Sequence, residues 1–126
     1  MANKVKTLST GAELNITMAS FQDSHRLFKA VMKEIGELGF NAEMNQRLMI
    51  KLLSSEAVES ALWPCMARAA YNKIKVNQEL FDLYEEARSD YIEIAGEVLG
   101  FNLNPFLKDL GSSLMNLKEK NTDSQK

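Results

Sequence analysis

Two short stretches near the start of the chain alternate between polar and apolar residues. Val5-Lys6-Thr7-Leu8 and Glu13-Leu14-Asn15-Ile16-Thr17 flank Ser9-Thr10-Gly11-Ala12, whose turn-forming residues predict a hairpin over about residues 5–17. Leu14 and Ile16 fall on one face, because strand side chains repeat every two residues. A lone hairpin is marginal in water, so this one is expected to lie on the helices that follow.

The period then lengthens. Ser20-Phe21-Gln22-Asp23 has capping spacing, and Leu27, Phe28, Val31, Met32, Ile35 and Leu38 recur at three and four. This predicts an amphipathic helix of about 16 residues that stops at Gly39. A second helix is expected from Asn41 or Ala42 through Met44, Leu48, Met49, Leu52 and Leu53. Ser54-Ser55 ends it and caps a third, with Glu56 and Glu59 at the N-terminus favoured by the helix dipole. Val58, Leu62, Met66 and Ala69 form the third stripe, with Trp63 alongside. Pro64 falls inside that helix and predicts a kink or a restart.

Tyr71-Asn72-Lys73 reads as a connector, and Asn77 as the N-cap of a short helix. The strongest helical pattern runs from about Tyr84 to Phe101, with Tyr84, Ala87, Tyr91, Ile94, Ala95 and Val98 as its core stripe. Asn104-Pro105 then reads as a cap and first position of another helix carrying Phe106, Leu107, Leu110, Leu114 and Leu117. The expected fold is mainly α: a compact bundle of about five helices with an N-terminal hairpin as a minor β component.

Composition narrows the classes. The chain has 126 residues, 15 Lys and Arg against 17 Asp and Glu, one Cys and one His. That length fits one domain, here residues 1–117, followed by a polar tail at 118–126 that is expected to be disordered. One cysteine cannot form an internal disulfide, which favours a reducing compartment. One His and one Cys fall short of the three or four N/S ligands of a usual zinc site. No apolar run approaches the ~20 residues of a membrane helix, and the start lacks a signal-peptide core. The expectation is a soluble intracellular protein without cofactors, metal or membrane association.

Few residues offer chemistry. Glu86, Asp90, Glu93 and Glu97 recur at four, three and four, which stacks four carboxylates on one helix face. Such carboxylates hold metals in di-iron bundles, but those also use Glu-x-x-His pairs, absent here. A solvated acidic face is the preferred reading. His25 reads as an exposed surface histidine, and Cys65, in the apolar Trp63-Pro64-Cys65-Met66 stretch, as a buried inert thiol. No phosphate-loop or dinucleotide glycine pattern occurs. Arg26, Lys29 and Lys33 form only a small basic strip, and the acidic face opposes a phosphate backbone, so no nucleic-acid binding is expected. The chain reads as no enzyme. Its methionines offer more: Met32, Met44, Met49 and Met66 lie near the apolar faces of the first three helices. They fill core gaps on the plainer reading, and line an adaptable partner groove on the other. Trp63, Tyr71, Phe81, Tyr91 and Phe106 likewise read first as core and second as interface anchors.

Several runs carry a family resemblance. Ala61-Leu62-Trp63, Tyr71-Asn72-Lys73-Ile74-Lys75-Val76-Asn77, Leu80-Phe81, Ala87-Arg88-Ser89-Asp90-Tyr91 and Asn102-Leu103-Asn104-Pro105-Phe106 with Leu110 are the residues concerned. Together with the opening hairpin and the helix after Phe21, over roughly residues 5–117, they resemble the small tail assembly chaperones of long-tailed bacteriophages that infect Gram-positive hosts. Pro64 departs from that pattern. The resemblance implies a non-enzymatic protein that binds the tape-measure protein while tail-tube subunits polymerise around it. It implies residence in the host cytoplasm and absence from the mature virion. Met32, Met44, Met49, Trp63, Met66 and Phe106 are the candidate partner-binding residues. Homo-oligomerisation stays open, as do two other readings: a structural head–tail connector or other virion component, and a small DNA-binding regulator.

Overall fold

A computed structural model describes residues 2–38 and 46–106. The expected hairpin is present: β1 (Asn3–Thr7) pairs antiparallel with β2 (Glu13–Thr17), setting Val5 opposite Asn15. Leu8 N–H donates to the Ala12 carbonyl and Gly11 N–H to the Leu8 carbonyl. Gly11 has φ 93° in this turn, a left-handed conformation that a Cβ would strain. Leu14 and Ile16 are fully buried, while Glu13 between the turn and Leu14 is exposed. The period-two pattern therefore marks a sheet with one covered face.

The segment expected to be a connector is a second hairpin. β3 (Ala69–Tyr71) pairs with β2, and β4 (Ile74–Lys75) with β3, giving an antiparallel sheet of order β1-β2-β3-β4. Asn72 and Lys73 link them with φ of 47° and 71°, both left-handed as a type I′ turn requires. Asn72 also accepts from Glu13 N–H through Oδ1 at 2.9 Å, tying the turn to β2. Lysine at the position where glycine is usual, and a two-residue final strand, leave little periodic signal for this hairpin.

Six helices occur among the described residues: α1 (Phe21–Leu38), α2 (Gln46–Leu53), α3 (Glu56–Met66), α4 (Gln78–Leu83), α5 (Glu85–Ser89) and α6, residues 91–106. The fold is mainly helical with a small antiparallel sheet, and the helices and inner sheet face share one apolar core. Leu27 and Val31 of α1, Leu52 of α2, Val58 and Leu62 of α3, and Ile94 and Val98 of α6 are fully or nearly fully buried there. Ser55 caps α3 by accepting from Val58 N–H at 3.4 Å and donates to Glu34 Oε1 at 2.8 Å, joining α3 to α1. Asn77 caps α4 as expected, accepting from Leu80 N–H at 2.9 Å. Gly39, Met44 and Leu107 to Leu117 lie outside the described residues.

Pro64 does not restart α3, which continues to Met66; the proline costs the one bond that its N–H would make to the Ser60 carbonyl. Two other helical expectations change. The helix expected from Tyr84 to Phe101 is divided. Tyr84 is extended (φ −122°, ψ 114°) and 47% exposed rather than core, and Asp90 leaves helical geometry at φ −91°, ψ 0°. Its carboxylate is committed to the sheet, as described below. Asn104-Pro105 starts no new helix: α6 runs through both residues to 106, held in line by buried Leu99, Asn102 and Leu103.

Candidate functional site

The entry of α1 is fixed by its cap. Ser20 Oγ accepts from Asp23 N–H at 3.2 Å, which sets Phe21 at the first helical position. From there Phe21, His25, Phe28 and Met32 recur at four, three and four, so they form a stripe beside the core stripe of Ser24, Leu27 and Val31. The far end of α6 is pinned to the same place by Asn102, which is fully buried. Its Oδ1 accepts from Ala19 N–H at 2.9 Å and Ser24 Oγ–H at 3.2 Å, and its amide donates to the Val98 carbonyl at 2.8 Å. Phe106, one turn beyond Asn102, thereby comes down on the α1 stripe.

Four rings meet there. Phe21 stacks on His25 with centroids 5.2 Å apart, and Phe106 lies 5.1 Å from Phe28, 5.8 Å from His25 and 5.8 Å from Phe21. His25 is half-buried between the phenylalanines, which corrects the expectation of an exposed histidine. Phe21 is 73% exposed. The other three rings are half-buried, so the part of the cluster that faces water is aromatic and centred on Phe21.

The acidic face has another role than solvation. Asp90 is 2% exposed, and a single oxygen of its carboxylate accepts from Thr10 Oγ1–H and Tyr71 Oη–H, each at 2.7 Å. Glu93 accepts from Ser9 N–H and Oγ–H, the latter at 2.8 Å. Glu97 pairs with Lys4 at 3.2 Å and Lys6 at 4.0 Å. Three of the four carboxylates are thus a rail on which the first hairpin is seated, and only Glu86 remains exposed. Spacing alone cannot reveal this, because the donors of the first hairpin lie 80 to 93 residues from their acceptors in the chain and Tyr71 lies 19 from Asp90. Burial, and then donation to Asp90, pushes the Tyr71 phenol up to about 12.

Comparison of the chain with protein-family models, with curated proteins and with solved structures returned no match. Its own geometry therefore carries the functional reading. Among the described residues no three metal-ligating side chains converge, and no helix is long and apolar enough to cross a membrane.

The candidate contact residues do not form one groove. Met66 is fully buried in the core. Met32 is half-buried against it, and Met49 packs its methyl on Gly96 of α6, where a Cβ would lie 3.5 Å away. Trp63 meets Phe81 edge-on at 6.1 Å, and Phe81 meets Tyr91 at 5.3 Å, an aromatic chain between α3, α4 and α6. Burial, with the Glu59 charge, raises the Tyr91 phenol. Phe106 alone of the candidates joins the four-ring surface, and Met44 lies outside the described residues. Phe21, His25 and Phe28 were not among the candidates, although their four-and-three spacing, read as a second stripe, carries the signal. Cys65 is buried as expected; burial first, and Asp23 second, push its thiol up to about 11. Such a thiol is poorly nucleophilic at neutral pH.

Proposed function

We propose that this protein is a non-enzymatic tail assembly chaperone of a long-tailed bacteriophage, binding apolar helical segments of the tape-measure protein while tail-tube subunits assemble. The observation that supports this reading is the aromatic cluster of Phe21, His25, Phe28 and Phe106, with its Phe21 ring exposed, together with the sequence resemblance to that family. Rings set about one helical turn apart along α1 offer seats for side chains that recur once per turn of a bound helix. The rigid support beneath them limits the entropy lost on binding. The protein acts in the host cytoplasm and leaves before the virion is complete.

Co-expression tests the reading. A tape-measure fragment that precipitates alone is expected to remain soluble with this protein and to precipitate again with the Phe21→Ser/Phe28→Ser variant. Equal insolubility with and without the protein removes the mechanism. Stoichiometric amounts of the protein in purified virions point instead to a structural component such as a head–tail connector.

A further inference from the structure

We draw no further inference here: the strongest candidate, the exposed outer edge of β1 in the first hairpin, carries nothing because nothing in the structure shows what covers it.

Discussion

Asn102→Ala tests how the aromatic surface is built. The side chain is fully buried, Ala19 and Ser24 beside it are buried, and its Oδ1 is the acceptor for both Ala19 N–H and Ser24 Oγ–H. Truncation leaves the Ala19 N–H without its acceptor in the interior, a loss of ~1–3 kcal/mol. The Ser24 hydroxyl can rotate, so its share is ~1 kcal/mol or less. The vacated volume adds roughly 1 kcal/mol, and release of the asparagine's own desolvation offsets part of the sum. The net expectation is a loss of about 2–4 kcal/mol, a large fraction of the ~5–15 kcal/mol that a domain of this size holds. In urea, with a slope of ~1–3 kcal/mol/M, the midpoint falls by about 1–2 M at unchanged slope. Asn102→Asp keeps the acceptors but sets a carboxylate oxygen against the Val98 carbonyl with no cation beside it, and at neutral pH it is expected to cost at least as much as alanine. If Asn102→Ala stays within about 0.5 kcal/mol of the unaltered protein, as an exposed substitution does, the pinning of α6 to α1 is refuted.

Other outcomes follow from the same geometry. Lys73→Gly relieves a left-handed lysine in the β3–β4 turn and raises stability by roughly 0.5–1 kcal/mol in chemical denaturation, whereas Lys73→Val lowers it. Cys65 and Tyr71 are raised from 9.0 to about 11 and from 10.0 to about 12, so each stays protonated when folded at a pH where it ionises unfolded. The unfolded chain then binds fewer protons, and stability falls as pH rises from about 9 toward 12; Tyr71→Phe makes the upper part of that decline shallower in urea midpoints measured against pH. Phe21→Ala leaves the thermal midpoint nearly unchanged, because the ring is mostly exposed, while weakening capture of a tape-measure fragment in a pull-down. A loss of stability comparable to that of Asn102→Ala makes Phe21 a structural residue instead.

The sequence carried the parts of this fold that rest on local chemistry. The Leu14/Ile16 alternation, the Ser55 and Asn77 caps and the α1 stripe are each legible within a few residues. What stayed hidden depends on partners far along the chain. A type I′ turn of Asn72-Lys73 followed by two strand residues gives almost no pattern, and it becomes a hairpin because β2 offers a ladder for β3. The acidic spacing of Asp90, Glu93 and Glu97 is the same whether water or a hairpin faces it; Ser9, Thr10, Tyr71 and the two lysines decide. The break at Asp90 has the same origin, as does the half-burial of His25, which follows from where Asn102 delivers Phe106. Among the candidate contact residues, Met66 serves the core because helical spacing cannot separate a core stripe from a surface stripe one position away.

Photo-cross-linking from position 21 tests the functional account most directly. Benzoylphenylalanine in place of Phe21 keeps an exposed aromatic ring at the helix start, and the same group in place of Ile50, which is 49% exposed on α2, serves as the control. In cells that also express a tape-measure fragment, illumination is predicted to yield an adduct with that fragment from position 21 and little from position 50. Equal yields from the two positions, or no adduct from position 21 while the fragment remains soluble, would contradict the account.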